Sequence, residues 1–243
     1  MFKFTKFSLI LSILCLSQTA YSQEIEYKSG NKQVALIELY TSQGCSSCPP
    51  ADKWLNSLQD EPGLWTEFVP VAFHVDYWDY LGWKDSFSKS EYSNRQRLHR
   101  KQGNVGVVYT PGFFLNGEEW RSRFGRDAPS SGEPASELNA TLSGNTLAVN
   151  YPSNHSLTLN VGILGFGYQT SIERGENSNR VLHEDFVLLS HTKHSSTDGT
   201  WNITLPENVS PSTEKYGLAI WVNDGNNLQP LQTTGGWLPD NLY

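Results

Sequence analysis

Apolar and polar positions follow two rhythms along this chain, one before about residue 128 and another after it. Residues 34–40 and 69–76 read as apolar strands. Between them Trp54, Leu55 and Leu58 recur at helical spacing over 51–58, behind Pro49 and Pro50. Proline fits a first helical turn, because its missing N–H removes no intrahelical bond. Ser88-Lys89-Ser90-Glu91 has the form of a capping box and predicts a helix to about Lys101, with Gly103 as its stop. Residues 105–117 then run through Thr110-Pro111 to a strand at 113–115 and a turn at Asn116-Gly117. A proline between strand residues needs a special backbone, and a cis Thr110–Pro111 bond would supply it.

The second half has a different grammar. From Arg126 the chain turns Ser/Gly/Pro-rich, with a short helical patch near 135–142. Short strands are predicted at 146–151, 157–164, 166–173, 181–190, 200–205 and 216–223, separated by Gly, Asn and Asp turns. Residues 157–163 alternate at period two, as a half-buried strand should. This pattern predicts an all-β sandwich, immunoglobulin-like in kind.

The candidate chemistry sits between the first strand and its helix, at Cys45-Ser46-Ser47-Cys48. The sulfurs would lie among the unpaired N–H groups of a helix N-terminus, a setting that favours thiolate over thiol. Cys-x-x-Cys beside a strand–helix–strand pattern is a redox signature. Three alternatives compete with it. Zinc needs about four ligands, and no second cysteine pair completes a site. A structural disulfide would close a four-residue loop for roughly 2 kcal/mol. Cu(I) held by Cys45, Cys48 and a distant histidine such as His74 is chemically reasonable.

The N-terminus changes the setting. Lys3 and Lys6 precede an apolar run over 7–16, and Ala20-Tyr21-Ser22 has the form of a cleavage site, so residues 1–22 read as a signal peptide. Its removal would take Cys15 with it and leave an even cysteine count in an oxidising compartment, periplasmic or extracellular. The run is too short to span a bilayer, and no later segment approaches that length. Without Lys3 and Lys6 the basic residues fall from 18 to 16 against 25 acidic ones, a net charge of −9. Such a chain is a poor partner for nucleic acid or an anionic membrane. No metal or cofactor is implied by the leading reading, and the oligomeric state is not legible.

The 41–52 run Thr-Ser-Gln-Gly-Cys-Ser-Ser-Cys-Pro-Pro-Ala-Asp and the 73–83 run Phe-His-Val-Asp-Tyr-Trp-Asp-Tyr-Leu-Gly-Trp resemble the recurrent phrases of an exported bacterial family catalogued as domain of unknown function 1223. That family resembles thioredoxins in fold. By the resemblance Pro111 borders the dithiol, and Thr110 offers a β-pairing contact to a bound polypeptide. Glu38 matches a buried proton-accepting acid of thioredoxins if the turn carries one extra residue; a solvent-facing strand glutamate is the equal alternative. Tyr77 and Trp78, with Tyr80 and Trp83, either wall a groove beside the dithiol or pack the following helix. His74 reads as a core histidine, Asp52 as a solvated helix residue, and His183, His191 and His194 as surface histidines.

The expected architecture is therefore an α/β thioredoxin-like domain at 23–128 followed by an all-β sandwich domain at 129–243. The expected function is thiol–disulfide exchange with protein or peptide partners. Cys45 is the exposed nucleophile in this reading, and Cys48, one turn deeper, resolves the mixed disulfide. Its rivals are a binding protein with a fixed disulfide and a copper chaperone.

Overall fold

The computed structural model describes residues 24–121, 127–130 and 132–243. The expected signal peptide lies outside the described residues. A four-stranded sheet has the order β1 (Glu24–Lys28), β6 (Asn139–Ser143), β7 (Thr146–Asn150), β12 (Thr200–Thr204). The larger sheet is built around β2 (Ala35–Thr41) and β3 (Phe68–His74), both buried along their whole length. Strands this apolar need cover on both faces. They pair in parallel, from Ala35 opposite Phe68 to Thr41 opposite His74, with α1 (Pro49–Ser57) in the crossover. β4 (Gly112–Leu115) covers the other edge of β2 and carries β5 (Glu118–Glu119) outside it.

The remaining edge of β3 is closed by a strand from far along the chain. β11 (Val187–Ser196) meets it in parallel through Val187 opposite Ala72, and the Ala72 N–H donates to Phe186 O at 2.9 Å. β8 (Leu157–Gly165), β13 (Tyr216–Asp224) and β14 (Pro230–Trp237) continue antiparallel, giving the order β14-β13-β8-β11-β3-β2-β4-β5. A small hairpin, β9 (Tyr168–Ser171) and β10 (Val181–Glu184), projects between β8 and β11 in sequence.

This arrangement overturns the expected fold class. A thioredoxin-like α/β domain followed by a sandwich would keep a separate sheet in each half. Here one eight-stranded mixed sheet takes strands from both, and the described residues hold 14 strands against two α-helices. The exposed edge of β3 is the physical reason: its unpaired backbone groups are satisfied by β11. Local expectations change with it. The helical patch at 135–142 ends instead in β6, paired with β1. The single strand expected at 181–190 breaks at Phe186, whose φ is +56°, so β10 turns into the hairpin and β11 enters the sheet. Ser88 Oγ donates to Asp79 Oδ2 at 2.8 Å, and α2 (Ser90–Lys101) begins without the expected capping box.

Period-two alternation decides which core each side chain enters. Leu218, Ile220 and Val222 of β13 face the four-stranded sheet, whereas Ala219 and Trp221 face the core beneath α2. Each fully buried leucine, isoleucine or valine there contributes about 1.5–3 kcal/mol. On the α2 side a charge lies in this core. Arg95 donates from Nε and Nη2 to the two oxygens of Glu38 at 2.7 and 2.9 Å. Tyr40 OH donates to Glu38 Oε2 at 2.8 Å, and His99 Nε2 lies 3.4 Å from the same oxygen. Burial alone would raise the Glu38 pKa, but Arg95 and His99 outweigh it and hold the carboxyl well below the usual range.

Removing one partner of such a pair leaves an uncompensated buried charge. Glu38→Leu is expected to cost about 3–5 kcal/mol in urea unfolding, and the double variant Glu38→Leu/Arg95→Leu to recover most of that loss. A single variant as stable as the native chain would contradict this role.

Candidate functional site

The turn after β2 carries Cys45 and Cys48, joined in a disulfide across a Cα–Cα distance of 5.4 Å. Cys48 is the N-cap of α1, and its carbonyl accepts from the N–H groups of Ala51 and Asp52 at 2.8 and 3.1 Å. Ser47 Oγ lies 3.3 Å from Cys45 Sγ. Ser46 and Ser47 are exposed, but both cysteines are 0% exposed. Cys45 is thus not the solvent-facing nucleophile that the spacing suggested.

Two neighbours pack on this turn. The loop between β9 and β10 lies on the turn: Asn177 Nδ2 donates to Gln43 O and Cys45 O, both at 2.9 Å. Glu176 Oε2 accepts from Ser46 N at 3.1 Å and Ser46 Oγ at 2.7 Å. On another side Trp78 packs so close to Gly44 that a Cβ there would stand 3.0 Å from the tryptophan's own Cβ, so only glycine fits without a shift. Trp78 Nε1 donates to Thr110 Oγ1 at 2.8 Å, and the Thr110–Pro111 peptide is cis. Tyr77 OH donates to Gln96 Oε1 at 3.0 Å, and Gln96 Nε2 to Tyr109 O at 2.6 Å. Trp78 therefore links the cysteine turn to the Thr110-Pro111 loop, while Gln96 of α2 bonds both Tyr77 and the chain just before that loop.

Glu38 lies elsewhere. Glu38 and Tyr40 face α2, and among the described residues Glu38 makes no polar contact with either cysteine. Period two turns Thr41 to the opposite face, beside Asp52 of α1. The acid nearest Cys48 along the helix is thus Asp52, one turn further on. It is half-buried, and burial pushes its pKa up to about 7 against the opposing pull of His74.

Behind the turn Gln43, 1% exposed, uses its whole side chain. Its Nε2 donates to Glu184 Oε1 at 2.8 Å and Thr170 Oγ1 at 3.1 Å, and its Oε1 accepts from Trp83 Nε1 at 2.9 Å. Asp85 Oδ2 accepts from Gln43 N at 2.9 Å and pairs with His74 Nδ1 at 2.7 Å. Burial disfavours the His74 cation, but Asp85, Glu184 and Asp52 outweigh burial and raise its pKa to about 9. Burial also raises the Glu184 carboxyl. A cleft of about 390 Å³ opens beside α1, between Pro49, Asp52 and Lys53 on one side and Val181, Leu182 and His183 on the other. Glu176, Asn177 and Glu184 escaped the sequence reading because each lies more than 120 residues from the cysteines and belongs to no local motif.

These features define a mixed-sheet protein with a buried disulfide capping its crossover helix. The chain belongs to the family described as protein of unknown function DUF1223, whose model matches residues 36–223. It is similar in fold to a structural-genomics crystal structure of an Agrobacterium tumefaciens protein, with 19% identity and a TM-score of 0.58 over 86% of this chain and 96% of that one. It is also similar to HBP35 of Porphyromonas gingivalis, with 12% identity and a TM-score of 0.55 over 86% of this chain and 76% of that one. No curated protein matches the chain.

Asp52 gives the site a pH signature. Its pKa of about 7 in the fold lies above its ordinary value of 3.8, so across this interval the folded chain holds a proton that the unfolded chain releases. Its contribution to stability is full below about pH 4 and is lost as the pH rises through about 7. Asp52→Asn is expected to gain stability relative to the native chain over that window and to level off above it, in urea midpoints measured along a pH series. Parallel curves for the two proteins would contradict the assignment.

Proposed function

We propose that this protein exchanges disulfides with protein or peptide thiols outside the cytoplasm, through Cys45 and Cys48. The observation that carries the reading is a disulfide at a helix N-terminus with an acid titrating near neutrality one turn beyond it. In the reducing direction for the pair, a partner thiolate attacks Cys45 Sγ. The Cys45–Cys48 bond breaks, a partner–Cys45 bond forms, and Cys48 leaves as a thiolate stabilised by the helix N-terminus. Protonated Asp52 supplies the proton that Cys48 takes up. A second partner thiolate then attacks the partner sulfur of the mixed disulfide and Cys45 leaves as a thiolate, so the partner becomes a disulfide and the pair is reduced, a transfer of two electrons. The opposite direction runs the same steps backwards.

With both sulfurs buried, attack requires the loop between β9 and β10 to move off the turn. Its exposed contact, Glu176 with Ser46, breaks most cheaply because water replaces both hydrogen bonds. Thr110 and Pro111, linked to the turn through Trp78, then border the approach of a partner strand. The signal-like sequence over 1–22 supports export, and a disulfide suits an oxidising compartment.

A second reading, a binding protein in which the disulfide is a fixed staple, is favoured by the zero exposure of both sulfurs. Cys48→Ser separates the two. Under exchange, Cys45 in this variant attacks a partner disulfide and stays covalently linked, so adducts that dissolve with dithiothreitol accumulate on non-reducing gels. Absence of any adduct, with exported protein extracts and with a model peptide disulfide alike, assigns the pair to the staple.

A further inference from the structure

On the α2 face of the large sheet, remote in sequence from the cysteine turn, strand alternation gathers polar residues whose donors exceed their acceptors. Register sets Lys193 of β11 opposite Asn160 of β8, and Asn160 opposite Trp221 of β13. Asn223 lies two residues beyond Trp221 on the same face, and Arg95 of α2 lies over the Trp221 ring at 5.6 Å.

A directed hydrogen-bond chain crosses these strands. His191 Nε2 lies 3.1 Å from Asn160 Oδ1, and Asn160 Nδ2 donates to Asn223 Oδ1 at 2.7 Å. Because the Asn160 oxygen only accepts, His191 carries its proton on Nε2. The chain ends at Asn223 Nδ2, a donor with no partner on a residue 2% exposed. Arg95 presents a second such donor. Its Nε–Nη2 edge is occupied by Glu38, while Nη1 has no partner and the residue is 4% exposed.

Both residues line one recess of about 50 Å³, with Thr158 and Lys193 at its sides and no carboxylate among its lining residues. Arg95 and Lys193 also line an adjoining open cleft of about 390 Å³, where exposed Glu91 stands on the wall. Among the described residues Lys193 makes no ion pair. Burial and the neighbouring Arg95 lower its pKa. Every unsatisfied group here is a donor, so the missing component is an acceptor. A leftover buried donor costs about 1–3 kcal/mol, more when charged, and an oxyanion accepts from several at once.

We propose that this recess binds a small oxyanion, a phosphate or carboxylate group, held by Arg95 Nη1, Asn223 Nδ2 and Lys193 Nζ. The open cleft gives the group an entry path and accommodates the rest of a larger ligand.

The test uses the full mature chain in calorimetric titration with sodium phosphate and, separately, sodium acetate, against sodium chloride at equal ionic strength. Saturable binding of phosphate or acetate, absent with chloride, is expected. Phosphate alone would identify a phosphoryl ligand, and acetate alone a carboxylate. Lys193→Gln, a change at an exposed position that leaves the core intact, should weaken the binding at least tenfold. The Asn223 side-chain amide signals should shift on titration in the native chain. Titrations with both anions indistinguishable from chloride, or unchanged affinity in Lys193→Gln, would overturn the proposal and leave the recess to ordinary water.

Discussion

The parallel contact between β3 and β11 joins strands from the two halves of the chain into one large sheet. It is short, with Val187 opposite Ala72 and the Ala72 N–H bonded to Phe186 O. It sets where the chain leaves the hairpin that meets the cysteine turn, a hairpin that α1 also holds through Asn56. Phe186 turns the chain with a positive φ just before this contact, which leaves β10 outside the sheet, paired with β9. The loop between those strands then reaches the turn and places Asn177 on two of its carbonyls. Without the β3–β11 junction, no sequence-local feature would bring residues near 177 to residues near 45.

The same junction bears on why a cysteine pair placed at a helix N-terminus is buried here. Such a pair is stabilised as thiolate, yet both sulfurs here are buried, and Asn177 holds the backbone of the turn at the Cys45 carbonyl. The contacts on the turn are unequal in strength. Asn177 is fully buried, whereas Glu176 meets Ser46 in solvent. Breaking the exposed Glu176 contact costs little, whereas the buried hydrogen bonds of Asn177 to its two carbonyls hold the turn more firmly. Beneath it, Gln43 ties the turn to Glu184 of the hairpin and, through its N–H, to Asp85. The disulfide and the histidine–carboxylate cluster therefore share one support.

What the sequence made legible was local. The strand before the cysteines, the helix after them, the cis bond at Thr110–Pro111 and the helix ending near Lys101 follow from periodicity, proline chemistry and glycine stops. The course of the sheet did not. An apolar run such as 69–76 states that its residues are buried, and says nothing about which distant strand closes its edge. Glu38 illustrates the limit within the site. A lone acid in an apolar strand can serve as a proton acceptor or as half of an ion pair, and its partner Arg95 lies 57 residues away. Asp52 shows the converse. It reads as a solvated helix residue because helical spacing cannot reveal that His74, Asp85 and Glu184 gather around it.

The central claim is that the Cys45–Cys48 bond is exchanged rather than permanent. Its reduction potential, measured by equilibrating the protein in graded dithiothreitol buffers and trapping free thiols with an alkylating reagent, tests this most directly. Structural disulfides in secreted proteins lie below about −300 mV, where cellular thiols do not reduce them. An exchanging pair is predicted to titrate above that value, with both cysteines becoming alkylated in one two-electron step. A potential below it would contradict the account and make the disulfide a staple of the turn.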